Sequence, residues 1–352
     1  MPLFDPERHE RLTDVHWNEA AARDAIARIL ADAHDAFTPD GFWPIHPLDV
    51  SPERAPILKP IYYGAAGVIW ALHYLAAAGF AEMRRDYLPV FDTLLARHRA
   101  DALALTGAPN FSYQAGEAGI LLLHWTLAPS EPIARELETT IAANAEHPAL
   151  GFLWGGAGSL RAALFMHERT GEARWKSLAL RIFEFLWSKW EYVDSVGCHL
   201  WLTDLYGARQ YRTNTLHGFP SIVRTLWRAR DLIPADRREE LLARTRLAIS
   251  KTALRDGPHA NWLHSAGDNL PPTNNILRVQ HCFGAPGFVN SFADMKLGEE
   301  TDALLLAAGQ LTWDAGPIAK LPSLCHGVPG SGYAFLKLFA RTGDEEWLTR
   351  AR

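Results

Sequence analysis

The sequence carries only three cysteines in 352 residues, Cys198, Cys282 and Cys325. So odd and sparse a set builds no disulfide framework, which leaves reduced thiols, metal ligation or catalysis as their uses. No run of 18 apolar residues occurs, and the N-terminal stretch MPLFDPERHERLTDVHW has no apolar signal core. Membrane insertion and export are therefore not expected, and the expected location is cytoplasmic. Blocks of like charge are also missing, and a net charge of −5 gives no general attraction for nucleic acid or anionic lipid. What remains is a globular composition, 48% hydrophobic and 21% charged, sufficient for one large core or two modest ones.

A local pattern recurs six times: YYGAAGVIWALHYL from Tyr62, QAGEAGILLLHWTL from Gln114, LWGGAGSLRAALFM from Leu153, LHGFPSIVRTLWRA from Leu216, HCFGAPGFVNSFAD from His281 and CHGVPGSGYAFLKL from Cys325. Five copies keep Gly-x-x-Gly, beginning at Gly64, Gly116, Gly155, Gly284 and Gly327, while the Gly218 copy ends in Ser221. First glycines are 52, 39, 63, 66 and 43 residues apart, long enough for a second helix in most intervals and an extra loop in two. The intervening segments, such as EPIARELETTIAANA from Glu131, have apolar residues at helical spacing with charge on the opposite face. The segments after the glycines are apolar nearly all round. Amphipathic outer helices around apolar inner ones predict an all-α fold, an α/α toroid of helical hairpins.

Chemistry gathers at the inner-helix starts. His217 precedes Gly218, Cys282 stands two residues before Gly284, and Cys325 and His326 precede Gly327. If these starts converge, two thiolates and an imidazole meet with a second imidazole nearby. Two sulfurs and one nitrogen suit zinc, and three protein ligands leave a fourth position for water or substrate. Cys282, Cys325 and His326 are thus the expected ligands of one zinc ion per chain. Cys198-His199 imitates the pair but has no Gly-x-x-Gly behind it, so a plain loop thiol is expected there.

The glycine repeats, RVQHCFGAPGFV from Arg278 and LCHGVPGSGYAFL from Leu324 resemble the lanthionine synthetase C-like family over essentially the whole chain. The resemblance implies a single α/α barrel domain over 1–352 of about seven helical hairpins, with zinc on Cys282, Cys325 and His326. It also implies the activity: conjugate addition of a thiol, from glutathione or a peptide cysteine, to dehydroalanine or dehydrobutyrine in a dehydrated peptide or protein, giving a thioether. His217 matches the family's histidine and is the expected catalytic proton donor. The approach LWLTDLYGARQYRTNTLHGF makes Asp204, Tyr206 and Arg212 candidate substrate-lining residues. The chain stops at TGDEEWLTRAR, read as an outer helix just begun, so the last hairpin is expected to be missing unless the ring closes with six.

Departures point to the LanC-like branch. Lantibiotic cyclases carry an aspartate where this chain has Gly151; His281 replaces the usual aromatic before the first cysteine, and Phe283 stands where histidine is common. His281 is a possible competing ligand. A non-catalytic zinc- and glutathione-binding regulator is one alternative. A carbohydrate-active α/α toroid is another, but it needs paired carboxylates, and the inner-helix starts offer only Glu117 and Asp204.

Overall fold

The structure, a computed structural model, describes residues 2–13, 15–46, 58–267, 277–320 and 322–352. It divides into two compact units, one of residues 17–145 and 153–178, the other of residues 146–152 and 179–352 with the N-terminal segment to His16.

The first unit holds α1 (Glu19–Asp35), α2 (Ala65–Ala77), α3 (Phe91–Thr106), α4 (Glu117–Leu127), α5 (Glu131–Asn144), α6 (Gly156–Thr170) and the start of α7 (Ala173–Ser188). Helices α2, α4 and α6 begin directly after Gly64, Gly116 and Gly155, as the repeat predicts. Helix α4 packs against both α2 and α6 and is covered by α3 and α5. The first seven residues of α4, Glu117 to Leu123, are all buried. On α5 the buried residues are Ala134, Leu137, Thr140, Ile141 and Asn144, spaced three or four apart, which is the single stripe of an outer helix. Leu137 and Ile141 are fully buried, worth about 2 kcal/mol each in apolar transfer.

The second unit continues with the rest of α7, then β1 (Trp190–Val193), β2 (Cys198–Leu205), β3 (Ala208–Arg212), α8 (Phe219–Arg228), α9 (Ala235–Thr252), β4 (Ala253–Asp256), β5 (His259–Trp262), β6 (Ser265–Ala266), α10 (Ala285–Phe292), α11 (Glu299–Ala315), α12 (Val328–Thr342) and α13 (Glu345–Ala351). Helix α10 lies against both α8 and α12, and all eight of its residues are buried. Helices α9 and α11 supply the outer layer. Unlike α4 and α10, helices α2 and α12 bury one face only.

The two longest glycine intervals contain strands rather than plain loops. β1, β2, β3 and β6 form one antiparallel sheet in that order, and β4 pairs with β5. Trp190 and Val193 are buried while Glu191 and Tyr192 face outward, and Trp190 stacks on its cross-strand partner Trp201 at 4.3 Å between ring centroids. Tyr206 and Gly207, both at positive φ, make the two-residue turn between β2 and β3. Among the described residues no helix is long and apolar enough to cross a membrane.

Candidate metal centre

Each inner helix is preceded by a tight turn that lies flat on the helix start. A Cβ on Gly287 would come within 2.1 Å of the His281 carbonyl oxygen and 2.6 Å of the Thr215 Cγ2, and one on Gly330 within 2.4 Å of the Leu324 carbonyl. Gly284 has φ of +101° and would press on the Arg278 carbonyl at 1.9 Å. In every case the obstructing carbonyl belongs to the residue six positions earlier. The glycines thus let the turn close over the helix and hold up its last two residues, which are Leu216-His217, Cys282-Phe283 and Cys325-His326 in successive copies.

Backbone bonds tie the three turns together. Cys282 N donates to Cys325 O at 3.1 Å and Thr215 N to Cys282 O at 3.2 Å. As a result the Sγ atoms of Cys282 and Cys325 and one ring nitrogen of His326 lie within 4.8 Å of one another. A tetrahedral zinc ion with bonds of about 2.3 Å to sulfur and about 2.0 Å to nitrogen sets its ligands roughly 3.5 to 3.8 Å apart, so a modest side-chain contraction completes the site. The donor chemistry fits as well. Burial pushes the Cys282 thiol up, and the neighbouring Cys325 adds to the shift because two thiolates at this distance repel. A divalent cation between them removes that penalty. Gln280, fully buried, donates from Nε2 to Cys282 Sγ at 3.1 Å and steadies it as an acceptor.

His281 does not join the cluster. Its Nδ1 faces Asn290 Nδ2 of α10 at 3.0 Å, and that amide also donates to Gly330 O at the start of α12, so Asn290 links the His281 ring to both helices. Cys198 is fully buried in β2, its thiol pushed up to about 11 by desolvation, which is the behaviour of a core thiol.

His217 is half-buried in the same unit. Its backbone N donates to Asn214 Oδ1 at 2.8 Å, and burial, followed by the Arg212 charge, lowers its imidazole to about 4. Gly151 lies directly against it: a Cβ there would stand 2.6 Å from the His217 Cα and carbonyl carbon. An aspartate could not occupy that position without displacing the histidine. Arg212 is buried, its guanidinium donating to Thr203 O, Thr203 Oγ1 and Ala208 O, so it braces the β2–β3 hairpin. Asp204 Oδ1 accepts from Gly207 N in the turn, and Tyr206 at the tip is 83% exposed. Glu117 is buried and paired with Arg99, which also bonds Glu136.

Three residues escaped the sequence reading: Asn214, Gln280 and His264. The first two were findable. Asn214, Gln280 and Ser323 all stand four residues before the first glycine of their copy, and each bonds the pair that follows, Ser323 Oγ accepting from His326 N. His264 comes from the segment between β5 and β6, outside the repeat, and has no sequence signal of this kind.

Helical hairpins with glycine-led inner helices, two thiols and an imidazole gathered at their starts, define an α/α class of protein with a group that could hold a metal ion. A family model described as lanthionine synthetase C-like protein matches residues 59–352, and the chain belongs to that family. Among curated proteins it is similar to Glutathione S-transferase LANCL1 of Danio rerio, 31% identical over 98 residues, a match covering 27% of this chain and 23% of that relative.

Proposed function

We propose that this protein joins a thiol, from glutathione or a peptide cysteine, to a dehydroalanine or dehydrobutyrine residue of a dehydrated peptide or protein, forming a thioether. The observation that carries the reading is the convergence of Cys282, Cys325 and His326 to within 4.8 Å at the turns of α10 and α12. Those three residues would hold one zinc ion, which supplies positive charge that favours the thiolate form of a substrate thiol.

The remaining work is moving a proton. Sulfur attacks the β-carbon, a C–S bond forms as the C=C π pair moves toward the carbonyl, and the α-carbon must then gain a proton. A histidine at about 4 is neutral at pH 7, so His217 is not a standing acid. It first takes the proton leaving the thiol and then, as imidazolium, delivers it to the α-carbon, so no external acid is consumed. The β2–β3 hairpin of Asp204, Tyr206 and Arg212 would line the approach, with exposed Tyr206 at its tip. Reduced thiols at the centre fit a cytoplasmic setting.

Gly151 favours a second reading, a zinc- and glutathione-binding regulator without turnover, because the backbone of His217 fills the place of a cyclase carboxylate. A sugar-processing enzyme is not supported, since Glu117 is committed to Arg99 and Asp204 to its turn. Metal analysis of wild type and Cys325→Ala, with mass spectrometry of a dehydroalanine peptide incubated with glutathione or a cysteine peptide, separates the readings. One zinc per chain and metal-dependent adduct in the wild type, both lost in C325A, is the expected result. Zinc without adduct favours the regulator, and wild type without zinc overturns the ligand assignment.

A further inference from the structure

The side chain of Asn214 has its polar atoms committed on both ends. Its Oδ1 accepts from Leu216 N at 3.3 Å and from His217 N at 2.8 Å, while its Nδ2 lies 3.1 Å from His264 Nε2. Two backbone donors on one end identify that end as oxygen, so the other is the NH2 group and His264 Nε2 must accept. The ring proton is therefore on Nδ1, which donates to Ser265 Oγ at 2.8 Å; Ser265 Oγ donates onward to Gln210 Oε1 at 3.1 Å. In this arrangement the His264 ring N–H and the Ser265 hydroxyl each meet an acceptor. Asn214 and Ser265 are each 1% exposed, and the imidazole stacks on Phe283 at 4.9 Å, so the network cannot easily be rearranged by water.

The surroundings keep this ring neutral. Burial acts first, and the charged or titratable groups facing it are Arg212, His217 and Arg278, all of which oppose a further positive charge. The turn of Cys325 and His326 has Ser323 in the place of Asn214, its Oγ accepting from His326 N, and a bound ion would fix the His326 ring as well. His217 stands outside the group of Cys282, Cys325 and His326. Its turn is held from one side by Gly151 against the backbone and from the other by the Asn214 amide.

We propose, resting on the thiol-addition reading, that His264 is a positioning residue: in its Nδ1–H form it holds the Asn214 amide through Nε2, and Asn214 in turn fixes the turn that aims His217 at the reacting carbon. Protonating Nε2 would set two donors against each other and release the amide.

The test uses full-length protein with 15N-labelled histidine, as wild type, His264→Phe, His264→Gln and His217→Asn. Phenylalanine keeps the stack on Phe283 without an acceptor, whereas glutamine carries Oε1 to the place of Nε2. Long-range 1H–15N spectra read ring tautomer and titration, with His264 and His217 assigned by the signals each variant loses. Wild-type His264 is expected to show a protonated Nδ1 and bare Nε2 from pH 8 to about pH 5. In H264F the His217 midpoint should rise by about one unit as the loosened turn admits water, and kcat should fall about 10- to 100-fold with KM for the thiol and metal content unchanged. In H264Q the His217 signals should return close to wild type, with most of kcat. A proton on Nε2 of His264, unmoved His217 signals in H264F, or H264Q no better than H264F would each overturn the assignment. The expected spectra without adduct from the wild type would support the positioning of His217 and overturn thiol addition, so the two claims fail separately.

Discussion

At the scale of single residues, the chemistry turns on what burial does to an imidazole. With an ordinary pKa near 6.5, a histidine at neutral pH is a mixed population that could donate a proton outright. Burial and the Arg212 charge lower His217 to about 4, so in the proposed addition the side chain would collect its proton before giving it. His217→Asn keeps a polar group of similar reach but cannot carry a proton, and its kcat for adduct formation should fall about 100- to 10,000-fold while zinc content stays at the wild-type level. Zinc loss in that variant would mean that His217 belongs to the ligand shell instead. The residue types were legible in the sequence because Cys282 and Cys325 stand two residues, and His217 and His326 one residue, before the first glycine of their copies. The protonation state of His217 was not, because it depends on Arg212 and on desolvation by segments distant in the chain.

At the scale of elements, the glycines of the repeat do two different things that sequence alone cannot separate. Gly287 lies in the first turn of α10 with an ordinary helical backbone, yet a methyl group there would meet the carbonyl of His281 at 2.1 Å and Thr215 Cγ2 at 2.6 Å. Gly171, at the end of α6, has φ of +69° and open space around it. Gly171→Ala should cost about 1 kcal/mol of left-handed strain and leave the metal in place. Gly287→Ala should cost more, about 2 to 4 kcal/mol, and lower zinc occupancy, because the turn it displaces carries Cys282. Urea unfolding together with metal analysis on both variants checks the contrast, and equal effects would refute it. Helical periodicity made α5 and its kind readable, and the all-round apolar segments marked α4 and α10. The strands were not readable as part of an all-α pattern, since β1 and β2 alternate over only a few residues and sit inside intervals whose excess length allowed any loop.

At the scale of the molecule, histidines govern acid stability. His217 and His264 are both lowered to about 4, and His34, His73, His98, His124, His147 and His199 are lowered too, with burial the leading cause in each. A folded-state pKa below the unfolded value near 6.5 means that the unfolded chain binds more protons between the two values. Stability from these groups is therefore complete above about pH 6.5, declines as pH falls, and for His217 and His264 is lost by about pH 4. Each of those two contributes a slope of about 1.4 kcal/mol per pH unit, or about 3 kcal/mol across the window. Metal release would add its own acid dependence, so the measurement belongs in the Cys325→Ala background. There, urea unfolding free energy between pH 7 and pH 4.5 should fall steeply with acid, and the added pair His217→Asn and His264→Gln should remove about two protons' worth of that slope. An unchanged slope would show that these imidazoles titrate alike in the folded and unfolded chain. The neutral, metal-independent state of His217 would then be lost as a premise, and with it the order of proton transfer in which the thiol's proton must arrive before the α-carbon can receive one.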